Sequence, residues 1–147
     1  MKNTFSCKFT EFILVALILA ACGSGSSGTS RPQETSVPEP PAAFADKTNP
    51  IANDQAAADA GKQIFATNCS LCHGANAKGD GPAAASFDPK PTDLADFQSK
   101  FSDGYLFWRI SEGGEFSPFN SQMPAWKGLL SEDQIWQVIS YLRTLGK

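Results

Sequence analysis

A chain of 147 residues with 41% hydrophobic side chains is long enough for one small domain and too short for several. Its formal net charge of −3, single histidine and lack of a basic stripe argue against nucleic acid as a partner. Loss of an N-terminal leader containing Lys2, Lys8 and Glu11 would make it one unit more acidic.

Residues 1–11 carry those two lysines and precede an apolar run over 12–21. A run of about ten residues is too short to cross a bilayer, which takes about twenty, but suits the core of a secretory signal, with Glu11 an acidic intrusion before it. The run closes in Leu19-Ala20-Ala21-Cys22, which resembles the bacterial lipoprotein signal. That resemblance implies a signal peptide over 1–21 and acylation of Cys22 as the mature N-terminus. Cleavage by the ordinary signal peptidase, releasing a soluble periplasmic or secreted protein, is the alternative, and both routes lead out of the cytoplasm. From 22 to 53 the composition turns to Gly, Ser and Pro, with Pro32, Pro38, Pro40, Pro41 and Pro50. Such a segment buries too little apolar surface to offset its ordering entropy and is expected to be a disordered tether reaching roughly 30 Å. It is either a leash for a swinging domain or an inert spacer.

The folded domain is expected over 54–147, too small to build a deep core without a buried ligand. Its first helix should run over 54–68, opened by Asp54 and placing Ala57, Gly61, Ile64 and Phe65 on one face. Directly after it comes Cys69-Ser70-Leu71-Cys72-His73, a C-x-x-C-H motif. Two thiols three positions apart suit addition to the two vinyl groups of a haem, with the adjacent imidazole held at axial-ligand distance from the iron. A zinc site needs a further N or S donor, and the other cysteines, Cys7 and Cys22, lie in or beside the export segment. A thioredoxin-like dithiol wants a βαβ context, and the chain shows no period-2 strand runs. A structural disulfide across two residues would be strained and reducible. The motif therefore points to one covalent c-type haem.

Residues 75–91, rich in Gly, Ala, Pro and Asp, read as an irregular loop wrapped around something other than itself. A second helix should begin at Ser102-Asp103 and end before Gly113-Gly114, burying Leu106, Phe107 and Ile110. The polar run 112–122, with its two glycines, looks like a loop delivering Met123 into the pocket. Met123 is the candidate for the second axial position, because Met1 is lost with the leader and a second histidine is lacking. A lysine, or no ligand, is the alternative, and a lone Met as flexible core filler is the plain reading. A last helix starts in the capping box Ser131-Glu132-Asp133-Gln134 and aligns Ile135, Val138, Ile139, Leu142 and Leu145 before stopping at Gly146. Trp108, Trp126 and Trp136 are expected as wall and core.

Together these features resemble the class I cytochrome c domains over essentially all of 54–146. The matching positions are Gly61 and Phe65 ahead of Cys69, Cys72, His73 and Gly74, then Gly79-Asp80-Gly81-Pro82, Met123-Pro124 and Tyr141-Leu142. The resemblance implies a small all-α fold of three to five helices wrapped around the haem. It also implies a close crossing of the first and last helices at Gly61 beside Phe65 and Tyr141. Pro82 matches the proline whose carbonyl accepts from the proximal imidazole, with an ordinary turn residue as its rival reading. Trp126 and Arg109 match residues that donate to haem propionates. Lys62, Lys78, Lys90 and Lys127 are candidates for a local positive ring at the haem mouth.

The expected function is that of a single-electron carrier with no substrate chemistry. The protein would be tethered by lipid to the outer face of the cytoplasmic membrane and serve redox partner proteins such as a respiratory or photosynthetic membrane complex. The alternative is a haem enzyme or gas sensor, peroxidase-like, with an open sixth iron position. The lack of a distal acid/base histidine weighs against it.

Overall fold

The computed structural model describes residues 37–146, which belong to one compact unit. The expected signal peptide over 1–21, the lipidation site Cys22 and the tether as far as residue 36 lie outside the described residues. Six α-helices follow in order: α1 (Ala42–Ala45), α2 (Gln55–Asn68), α3 (Ser70–His73), α4 (Leu94–Phe97), α5 (Asp103–Glu112) and α6 (Glu132–Leu142). Among the described residues there is no strand, so the fold is all-α as expected.

Each long helix begins where a side chain satisfies its orphan N–H groups. Asp54 accepts from Ala56 at 2.8 Å and Ala57 at 3.3 Å, and Ser102 accepts from Tyr105 at 3.1 Å. Ser131 and Gln134 form the reciprocal capping box expected for α6, at 3.2 and 2.9 Å. α5 stops at Gly113, whose φ of +71° suits glycine. α6 stops three residues short of Leu145, because the Thr144 hydroxyl and N–H both take the Tyr141 carbonyl and turn the chain. Leu145 still packs against the core from that turn.

The centre of the fold is the crossing of α2 on α6, the most extensive helix–helix contact in the molecule. Gly61 lies directly on the Gln137 carbonyl, so that any Cβ would fall inside that oxygen's radius. Phe65, 2% exposed, fills the space beside it against Tyr141, with ring centroids 5.3 Å apart. Val138 and Ile139 are buried in the same layer, each worth about 1.5–3 kcal/mol of apolar burial. α5 closes the core with Leu106, Phe107 and Trp108.

The expected tether boundary at residue 53 is corrected at its C-terminal end: residues of α1 and those that follow it form a strap across α5 and α6. Phe44 packs on Phe107 at 6.2 Å, and Lys47 lies over the same ring while pairing with Glu132 at 3.3 Å. Asn49 is buried. Its amide donates to the Trp136 carbonyl at 3.2 Å and the Ser140 hydroxyl at 2.9 Å, and its backbone N–H donates to Asp103 at 3.1 Å. Asp103 also holds Arg143 of the turn after α6, with Nε 3.0 Å and Nη2 2.6 Å from one oxygen. Proline stiffening lowers the entropy cost of the strap, which is held by one apolar anchor, one cation over a ring and one buried amide.

Two stability predictions follow from this packing. Gly61→Ala should destabilise the haem-loaded protein by about 2 kcal/mol in denaturant unfolding, although alanine is the better helix former by about 1 kcal/mol. Asn49→Ala, which removes a buried donor from the Trp136 carbonyl and the Ser140 hydroxyl, should cost about 2 kcal/mol in the same assay with an unchanged visible spectrum.

Candidate haem site

α3 is a single turn that begins on the residue ending α2. Cys69 donates its N–H to Phe65 at 2.8 Å and accepts from His73 at 2.9 Å, so both thiols and the imidazole share one rigid turn. Gly74, at φ +78°, ends it. The loop that follows then folds back on this turn and caps its carbonyls in sequence. Gly79 donates to His73 at 2.8 Å, Gly81 to Cys72 at 3.2 Å and Ala83 to Leu71 at 3.0 Å. Gly81 must lack a side chain because its Cβ position lies against the Leu71 and Cys72 carbonyls. The composition of this loop thus reflects its role as a cap on α3.

Pro82 sits between two donors in that loop and is exposed. Here the structure corrects an expectation. The partner of the proximal imidazole is not the Pro82 carbonyl but that of Thr92, 3.1 Å from His73 Nδ1. Alternate residues 79, 81 and 83 supply the N–H donors to α3, and a residue without an N–H fits the outward position between them. Thr92 reaches the imidazole because Leu94 and Ala95, at the start of α4, donate to the buried Ala77 carbonyl at 2.7 and 3.3 Å and pin the segment to the loop. The Thr92 contact makes Nδ1 the protonated nitrogen and leaves Nε2 free to ligate. Burial lowers the His73 pKa from its ordinary value, and the Thr92 carbonyl partly opposes this. The Cys69 thiol is pushed up to about 12, by burial first and by its neighbour Cys72 second. It therefore stays a thiol at neutral pH, unlike the low-pKa nucleophile of a dithiol redox enzyme.

Cys69, Cys72 and His73 form part of the wall of one open-sided cavity with some 1040 Å³ of unfilled space, its mouth included. Phe65, Ile110, Phe119, Val138 and Leu142 line it with apolar surface, and Met123 lines it from a different segment. The loop carrying Met123 is clasped to the end of α5. Gly114 donates to Met123 at 2.8 Å, Ser121 donates to Gly114 at 2.8 Å, and the Ile110 and Ser111 carbonyls accept from Trp126 and Lys127 at 3.1 Å each. Gly113 admits the clasp, since a Cβ there would collide with the backbone of residues 123–125.

Arg109 and Trp126 also line the cavity, whereas Trp108 and Trp136 are buried core as expected. Of the four lysines considered for a ring, Lys90 lies at the cavity. Lys127 instead pairs with Glu112 at 2.5 Å, beside a separate hollow lined by Phe44 and Phe107. Thr92 is the site residue that sequence reading missed. Its signal lay in Asp93, whose side chain caps α4 by accepting from Asp96 at 3.2 Å and so fixes the residue before it.

The cytochrome c family model matches residues 58–146, and the chain belongs to that family. As a member it carries covalent haem c with its iron and acts as a cytochrome electron carrier. The FixPc subunit of a cbb3-type cytochrome c oxidase from Rhizobium leguminosarum bv. viciae is 31% identical over 100 residues, 64% of this chain and 30% of the relative. The CcoP subunit of a cbb3-type oxidase from Rhodobacter capsulatus is 35% identical over 94 residues, 63% of this chain and 31% of the relative. The chain thus spans under a third of the length of these curated relatives. Among solved structures, cytochrome CL of Methylophaga aminisulfidivorans aligns with a TM-score of 0.51 and 26% identity, covering 66% of this chain and 60% of that one.

The residues lining the cavity fit the family's cofactor: two thiols and a neutral imidazole in one turn, a thioether from another segment, and apolar walls between them. If Thr92 rather than Pro82 orients His73, Pro82→Ala should leave the reduction potential and the ligand bands of the haem-loaded protein where they are. A lowered potential in that variant would restore Pro82 to the role.

Proposed function

We propose that this chain is a carrier of one electron at a time on a single haem, with Cys69 and Cys72 as its thioether attachments and His73 and Met123 as axial ligands. The observation that carries the reading is the convergence of Cys69, Cys72, His73 and Met123 on one apolar cavity from two separate segments. Bound haem supplies a one-electron iron couple and requires no substrate site. The protein's part is to hold the ligands and keep water out. The Thr92 contact holds His73 in the tautomer that can ligate, and the α5 clasp holds Met123 with a backbone bond on each side of Gly114. A thioether favours the ferrous state, so Met123 raises the potential.

The reading extends to place and partners. Cys22 is the lipid anchor, the haem domain lies outside the cytoplasm on the membrane's outer face, and electrons pass to or within a membrane respiratory complex. Support comes from Leu19-Ala20-Ala21-Cys22 and from the likeness to oxidase subunits over the haem domain. No helix among the described residues is long and apolar enough to cross a membrane.

The test compares visible spectra of the haem-loaded wild type and Met123→Ala, oxidised, reduced, and reduced under carbon monoxide. The wild type should be low-spin, unreactive to carbon monoxide, and carry the methionine-to-iron charge-transfer band. The variant should lose that band, bind carbon monoxide and fall in potential by on the order of 0.1 V, within the ~0.8 V range that axial ligands command. A high-spin wild type that binds carbon monoxide and is unchanged by the substitution would place the chain among haem enzymes or sensors.

A further inference from the structure

Arg109 stands out among the side chains lining the haem cavity, because it is a partly buried cation to which no carboxylate is paired among the described residues. What it does touch belongs to one loop. Its Nη1 donates to the Gly113 carbonyl at 2.6 Å, and Nη2 lies 2.9 Å from where a Cβ of Gly114 would stand. Its guanidinium carbon lies 3.4 Å from the centroid of Phe119, with Phe116 and Trp108 each at 5.8 Å. Phe119 lies beyond a turn in which both it and Asn120 donate to the Phe116 carbonyl at 3.0 Å. The guanidinium therefore spans the loop, bonded at its base and stacked on its tip.

The loop it spans is the one that presents Met123. Gly113 and Gly114 form the hinge by which that loop leaves α5, and the Gly114 N–H is the donor to the Met123 carbonyl. A bond to the Gly113 carbonyl and a plane laid across Phe119 restrain the two parts of the loop that must move if Met123 is to swing out. Lysine cannot replace this arrangement, since it has neither the fork of N–H donors nor the flat face that stacks on a ring.

We infer that Arg109 is a positioning residue for Met123, a staple that holds the distal loop closed and sets how readily an outside ligand displaces the thioether. This rests on the reading of Met123 as the sixth ligand. It differs from a role in binding haem propionates, which would act through charge and would not govern the loop.

The test is titration of the ferric, haem-loaded protein with imidazole, in wild type, Arg109→Lys and Phe119→Leu, beside the methionine-to-iron band, reduction potentials and thermal melts. Both variants should show the band and bind imidazole on the order of tenfold more tightly than wild type, the ratio carried by loss of one charge-assisted hydrogen bond in Arg109→Lys and of the cation–ring contact in Phe119→Leu. Phe119→Leu keeps the guanidinium, so its response separates loop closure from any propionate contact made by Arg109. It also decides alone if Arg109→Lys fails to take up haem. Imidazole affinities equal to wild type in a protein that shows the band would overturn the staple and leave the Met123 assignment standing. A wild type without the band would overturn both together.

Discussion

The contact on which the rest depends is the meeting of two backbones at Gly61 and Gln137. With no side chain between them, α2 and α6 approach closely enough for Phe65 to seal against Tyr141 and Val138. That fixes the end of α2, and the end of α2 is where the haem-binding turn starts. Cys69 is at once the last hydrogen-bonded residue of α2 and the first of α3, so any rotation of α2 about its axis turns both thiols and the imidazole with it. The same α6 residues that face this crossing, Val138 and Leu142, line the cavity wall. Position of the cofactor and stability of the core are therefore one property here.

Loops contribute as donors rather than as covers. Residues 79–83 satisfy the carbonyls of α3, and residues 126 and 127 satisfy those at the end of α5. The segments that carry His73 and Met123 are thus both held by backbone bonds to a helix end. A side chain is barred where a Cβ would obstruct this fold-back, at Gly79, Gly81 and Gly113. This explains why segments so rich in glycine and alanine hold ligands firmly.

Much of this was legible in the chain because local chemistry decided it. Asp54, Ser102 and Ser131 cap helices through their own side chains, and Gly113 ends one by its conformation, so helix boundaries follow from neighbours in sequence. The haem motif was legible outright, since five consecutive residues carry it. What stayed hidden depends on partners far along the chain. Asn49 looks like part of a polar linker until Trp136 and Ser140 are placed beneath it, some 90 residues away. Thr92 offers only a backbone carbonyl to His73, a role that leaves no mark on side-chain identity. Pro82 was misleading for the converse reason: a proline fits wherever an N–H is not wanted, and the cap on α3 has such a position.

The strap has a mechanical consequence. Phe44, Lys47 and Asn49 bear on Phe107, Glu132, Trp136, Ser140 and Asp103, and neither they nor these partners line the haem cavity. Tension entering the domain from residues ahead of the strap is carried into the sides of α5 and α6 that face away from the iron's surroundings. The strap thus works as a strain relief, of the kind that keeps a pull on a cable from reaching its terminals. Jostling at the attachment is absorbed before it reaches the bonds that set the potential.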